Sequence, residues 1–308
     1  MPKPESSLRV LFWPRFIIAV LILAGITVTL SPVVSAFWNF EKTLKNSEKY
    51  LGTIAKESPE KLTESFFRAQ EYNAKLNPQT INDPWKFANK TFDTDHADYL
   101  TQLRSEIDTS KTSEEQNYLG VITVPKINIQ LPIKHDATPK SIADTAGHMY
   151  GSSLPVGGIN THTVIAAHSG GKQLFFDRLP ELQIGDLFYL HVAGQTLSYK
   201  VDAKNIVENI DLSHVQRIPN GDFATLVTCV KSPDGKYFQR LLVRGERFET
   251  SLHSIGESSS ASQSNNISIF SAYDSWMLPR IVISSLALFS LLIIIFSWLT
   301  PKRSAKEQ

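Results

Sequence analysis

The chain has 308 residues, of which 42% are hydrophobic and 20% charged, and it carries a net charge of +1. That balance suits a folded protein and gives no basis for binding nucleic acid, which needs a concentrated positive field. Cys229 is the only cysteine, so no intrachain disulfide can form. No Gly-rich phosphate loop, CxxC pair or His/Glu zinc spacing occurs, and neither a metal nor an organic cofactor is expected.

In chain order, the first feature is apolar. No charged residue falls between Phe16 and Phe40, and Phe16 to Leu30 is almost wholly aliphatic. This reads as a transmembrane segment, although Val34-Ser35-Ala36 also fits a signal-peptidase site. From 41 to 77, apolar residues such as Leu51, Ile54, Leu62, Phe66 and Phe67 recur at helical intervals. Ser58-Pro59-Glu60 predicts a second helix start, with Ser58 as cap and Pro59 in the first turn. Asp83-Pro84-Trp85 then breaks the pattern as a turn-forming triplet. A shorter helical stretch is expected around His96 to Ile107, followed by a polar connector.

Near Leu119 the period changes to two. Lys126 to Lys134 alternates as a half-buried strand does. Further strands are expected at Thr163 to Ala167, Leu187 to Val192, Thr196 to Val201, Phe223 to Thr228 and Arg240 to Val243, several separated by Gly-containing turns. Many short strands predict one antiparallel barrel or sandwich of roughly 130 residues. Beyond Phe248, Gly256 to Asn266 is a Ser-rich linker. Ile281 to Leu299 follows with 19 uncharged residues, enough to cross about 30 Å of hydrocarbon. Arg9 and Arg15 before the first segment, with Lys302, Arg303 and Lys306 after the second, place both ends in the cytoplasm and the middle outside.

Extracytoplasmic placement changes the meaning of Cys229. An unpaired cysteine there is a candidate reactive thiol, and it closes the strand-like run Thr225-Leu226-Val227-Thr228. A nucleophilic thiol needs a neighbouring base or positive charge. His168 qualifies because it ends a strand beside Ser169-Gly170-Gly171, and His162 and His148 are its rivals. Acyl transfer also needs an oxyanion partner. Arg240, opening the strand after the Cys229 loop, is one candidate, and Arg244 on the same face is the other.

These residues carry a resemblance. Thr225-Leu226-Val227-Thr228-Cys229 resembles the TLxTC signature of sortases, the cysteine transpeptidases of Gram-positive surfaces. Tyr118 to Pro132 and Gly147 to Gly158 are similar to the family's early barrel strands and loops, and the likeness covers about residues 117 to 248. It implies Cys229 as nucleophile, His168 as catalytic histidine and Arg240 as catalytic arginine. Asp83-Pro84-Trp85 resembles the lid of class C, pilus-building sortases, in which the aspartate approaches the arginine and the aromatic covers the cysteine. Two positions depart from the class. Val230 to Gln239 is longer than usual and lacks the Thr-Pro-Tyr start, and Ser169-Gly170 stands where Arg-Gly is commoner.

The resemblance implies a mainly β chain with a sortase-type closed β-barrel, an N-terminal helical and lid region, and two flanking membrane segments. The expected organisation is a cytoplasmic N-terminus (1–15), a transmembrane segment or signal peptide (16–38), and a helical region (39–117) bearing the lid at about 82–86. The barrel (118–250), linker (251–276), transmembrane helix (277–299) and cytoplasmic tail (300–308) follow. The implied partners are LPxTG-bearing pilins or surface proteins and the lipid bilayer, with no nucleic acid. A wall-anchoring sortase that uses a peptidoglycan amine, and a non-catalytic membrane-tethered scaffold, are the alternatives.

Overall fold

The computed structural model describes residues 6–76, 101–103, 118–142, 145–169, 175–208, 212–248 and 277–299. The chain divides into two compact units, Met1–Phe37 with Tyr273–Gln308, and Trp38–Ala272.

The first unit is helical. Helix α1, Ser6–Ile54, begins in it and runs without a break through Val34-Ser35-Ala36. Among its described residues, helix α3, Met277–Leu299, is the other element. Both are long and apolar enough to cross a membrane. Their surfaces agree: Leu21, Val28, Phe289 and Phe296 are each more than 60% exposed, a display of large apolar side chains that water disfavours and lipid accepts.

The second unit opens with the end of α1 and with helix α2, Pro59–Lys75. Ser58 caps α2 as expected, its Oγ accepting from the Lys61 N–H at 3.3 Å, with Pro59 in the first turn. Both helices pack on strands. Tyr50 donates its hydroxyl to the Leu119 carbonyl and clusters with Ile54, Tyr118 and Val121. Asn73 of α2 bonds both backbone groups of Leu154, at 2.7 and 3.1 Å.

The strands are β1 Tyr118–Val124, β2 Ile129–Lys134, β3 Ala146–His148, β4 Thr161–Ala166, β5 Leu187–Val192, β6 Gln195–Val207, β7 Asp222–Lys231 and β8 Phe238–Arg247. They close into a barrel in the order β1-β2-β3-β4-β7-β8-β6-β5. Alternation explains the interior: Phe188, Leu190 and Val192 of β5 face Leu197, Tyr199 and Val201 of β6 within one core. Phe188 and Tyr199 stack with centroids 5.5 Å apart. The space they need is left by Gly245, where an added Cβ would lie 2.5 Å from the Phe188 ring.

Three expectations are corrected. The barrel is not wholly antiparallel, since β2–β3 and β4–β7 pair in parallel. Lys126 to Lys134 is not one strand. Pro125–Ile127 form a 3-10 turn closed by Asn128, whose φ of 56° is left-handed, and the ladder begins at Ile129. Pro125 removes a donor and fixes φ, and asparagine tolerates the left-handed region, so local chemistry overrode the alternation. The strands carrying Cys229 and Arg240 also extend further than expected, so neither residue stands at a strand end. The expected helix around 96–107 lies almost wholly outside the described residues.

Candidate active site

Strand β7 rises through Phe223-Ala224-Thr225-Leu226-Val227-Thr228, a β-branched and aromatic run well suited to a pleated sheet. Ala224 and Leu226 point into the barrel core, while Val227 joins Val164, Ala166 and Leu242 in a cluster on the opposite face. By the two-residue period, Cys229 shares the Val227 face. It is half-buried. Its partner across the β7–β8 ladder is Arg240, which puts their Cα atoms about 4.5–5.5 Å apart, as in any antiparallel pair. Arg240 is buried at 6% exposure.

The parallel pairing of β4 and β7 supplies the third residue. Ala166 sits opposite Val227, and the Ala167 N–H continues the ladder to the Val227 carbonyl at 3.1 Å. Extending this register carries His168 alongside Cys229, on the same face. Two side-chain bonds reinforce the junction: Thr228 donates its hydroxyl to the Ala167 carbonyl at 2.9 Å, and Ser169 donates its hydroxyl to the Cys229 carbonyl. Phe176 N–H donates to the His168 carbonyl at 3.0 Å. Partial burial lowers the His168 pKa below that of a free imidazole, which favours the neutral, proton-accepting form near pH 7.

The two rival histidines are held in structural roles. His162 is buried, with Nδ1 2.9 Å from the Gln216 carbonyl and Nε2 2.7 Å from Thr225 Oγ1. The carbonyl can only accept, so Nδ1 carries the proton and Nε2 accepts from Thr225. His148 is fully buried, its Nε2 donating to the Ser153 carbonyl at 2.8 Å, and burial pushes its pKa down to about 4. Arg244 is also engaged. Its Nε lies 3.0 and 3.1 Å from the two Asp202 carboxylate oxygens, and its guanidinium stacks 4.7 Å over the Phe223 ring.

Sequence reasoning therefore named the three residues that the barrel brings to one face, and missed what surrounds them. Asp202 gave no signal, because its pairing with Arg244 depends on β6 lying beside β8. Ser169 was visible as the residue after His168, and Thr225 and Thr228 as members of the Cys229 run, but their acceptors come from other strands. Asp83, Pro84 and Trp85 lie outside the described residues. Among the described residues no group of three or more His, Cys, Asp or Glu side chains is arranged to hold a metal ion. A thiol, an imidazole biased towards its neutral form and a buried guanidinium on one face make a constellation suited to acyl transfer.

Comparison with known proteins agrees with this chemistry. The family model described as the sortase domain matches residues 122–248. Sortase D of Bacillus subtilis (strain 168) is 27% identical over 129 residues, which are 42% of this chain and 63% of that protein's length. Sortase C-1 of Actinomyces oris is 32% identical, with a TM-score of 0.54, over 62% of this chain and 99% of that one. Sortase C of Streptococcus pneumoniae is 33% identical, with a TM-score of 0.57, over 66% and 96%. The pilus-related sortase C of Group B Streptococcus is 32% identical, with a TM-score of 0.56, over 67% and 98%. A closed eight-stranded barrel, and three sortase C structures that are 32–33% identical over 96–99% of their length, lead to one conclusion: the chain belongs to the sortase family of cysteine transpeptidases, among the class C sortases.

Proposed function

We propose that this protein is a membrane-anchored cysteine transpeptidase that cleaves an LPxTG-like sorting signal between Thr and Gly and joins the new acyl end to a lysine amine of a pilin. The observation that carries the proposal is the cross-strand pair Cys229–Arg240, with His168 two residues beyond the end of the parallel strand β4. Cys229 Sγ attacks the threonine carbonyl carbon while its proton passes to His168. The tetrahedral oxyanion collapses, the Thr–Gly C–N bond breaks, and His168 returns the proton to the departing glycine amine. The pilin amine then attacks the thioester, an isopeptide bond forms, and the thiol is regenerated. Arg240 holds the sorting signal and offsets the developing negative charge.

The two apolar helices and the basic residues outside them support a plasma-membrane location in a Gram-positive bacterium, with the barrel outside the cell and both termini in the cytoplasm. The resemblance of Asp83-Pro84-Trp85 to a class C lid adds a cover over the thiol to this reading.

The test uses the full-length protein in detergent with a purified LPxTG-bearing pilin. Covalent pilin ladders that survive boiling in SDS are the expected product. Hydrolysed pilin monomers alone, or wall-linked monomers without polymers in cells, count against the pilin-polymerising role.

A further inference from the structure

Ser169 sits next to His168, and its hydroxyl donates to the carbonyl oxygen of Cys229. The placement is unusual for a parallel ladder. After the Ala167 N–H bond to the Val227 carbonyl, the next rung would join the backbone N–H of residue 169 to the carbonyl of residue 229. At this point a side-chain hydroxyl reaches that same acceptor. One residue earlier, the Thr228 hydroxyl performs the reciprocal task by donating to the Ala167 carbonyl. His168 is thereby flanked by Ala167 and Ser169, both tied to β7, while its own carbonyl is held by Phe176 N–H.

We propose that Ser169 is a positioning residue. Its hydroxyl pins the strand end bearing His168 to the backbone of Cys229 and so holds imidazole and thiol in one geometry. This rests on the roles given to Cys229 and His168 above. The requirement is a donor one carbon beyond the backbone. Threonine retains it, and alanine removes it without adding bulk. Proton transfer between the two side chains depends steeply on their separation, so the effect belongs to the chemical step rather than to substrate affinity.

The test measures steady-state turnover of a peptide carrying an LPxTG sequence, with hydroxylamine as the acceptor amine, by the full-length protein in detergent. Ser169→Ala is expected to lower kcat about tenfold, equivalent to about 1.4 kcal/mol, with KM and the thermal midpoint unchanged. Ser169→Thr is expected to restore kcat. Parent-like kcat in Ser169→Ala, a loss carried by KM, a lowered thermal midpoint accounting for the loss, or failure of Ser169→Thr to rescue overturns the proposal. Cys229→Ala and His168→Ala run alongside. If Cys229→Ala turns over the peptide, or His168→Ala does so at the parent rate, the proposed function fails. If Cys229→Ala is inactive and His168→Ala is at least about 10²-fold slower while Ser169→Ala matches the parent, only the role of Ser169 fails.

Discussion

Arg240 and Arg244 lie four residues apart on one face of β8, yet their surroundings give them different roles. Arg244 is bound to Asp202 and stacked on Phe223, whereas Arg240 is buried opposite the thiol. A lysine cannot reproduce the planar fork of a guanidinium. Arg240→Lys should therefore reduce kcat/KM by about 10²–10³-fold, the usual cost of losing an oxyanion donor, and Arg244→Lys should cost far less. Measured rates in the reverse order would move the oxyanion role to Arg244. The histidines divide in the same way. His168→Ala should remove acid–base assistance worth about 10²–10⁴-fold. Loss of activity in His162→Ala with an intact fold, alongside an active His168→Ala, would mean that the wrong imidazole has been chosen.

At the scale of elements, the parallel pairing of β4 with β7 decides the site. Two parallel strands end at the same rim, so His168 after β4 and Cys229 near the end of β7 meet. Antiparallel pairing would have sent them to opposite ends. The sequence could not show this, because alternation reveals which face a residue takes but not the direction of its neighbour. It did reveal Cys229, the strands around it and the Ser58 cap, where the signal is local. The strand ends and the Arg244–Asp202 pair were hidden because they depend on partners brought in by topology. The bond from Thr225 to His162 illustrates the cost of such long-range pairing. Thr225→Val keeps the shape but leaves a buried imidazole nitrogen without its donor, so it should destabilise the fold by about 1–3 kcal/mol. Thermal unfolding would record this as a lowered midpoint, and an unchanged midpoint would show that the bond contributes nothing net. For the segment around Asp83 and Trp85, the lid reading makes a separate prediction. Replacing both with Ala should speed iodoacetamide modification of Cys229 about tenfold, since about 1.4 kcal/mol of closed-state preference is worth that factor. Equal rates in parent and double variant would remove the lid from the account.

At the scale of the whole molecule, the barrel rests on histidines that stay neutral. Burial pushes the His148 pKa down to about 4, His135 adding a smaller electrostatic push in the same direction, and burial also lowers that of His162. An unfolded imidazole takes a proton near pH 6.5. Below that value the unfolded chain binds protons that the folded chain refuses, so this stability is complete above pH 6.5 and is lost as pH falls through 4. For His148 it amounts to roughly 3 kcal/mol. The thermal midpoint should fall between pH 7 and pH 4, and His148→Gln should flatten that dependence. An identical slope in the variant would assign the acid sensitivity elsewhere. The central claim is that the barrel presents Cys229 as a nucleophile that becomes acylated. It is tested most directly by intact-mass and peptide mass spectrometry of the full-length protein mixed with an LPxTG peptide before any acceptor amine is added. A hydroxylamine-labile adduct on Cys229, equal in mass to the acyl fragment ending in Thr, is the expected result. Peptide cleaved at the same rate by Cys229→Ala, or an adduct on any other residue, would contradict it.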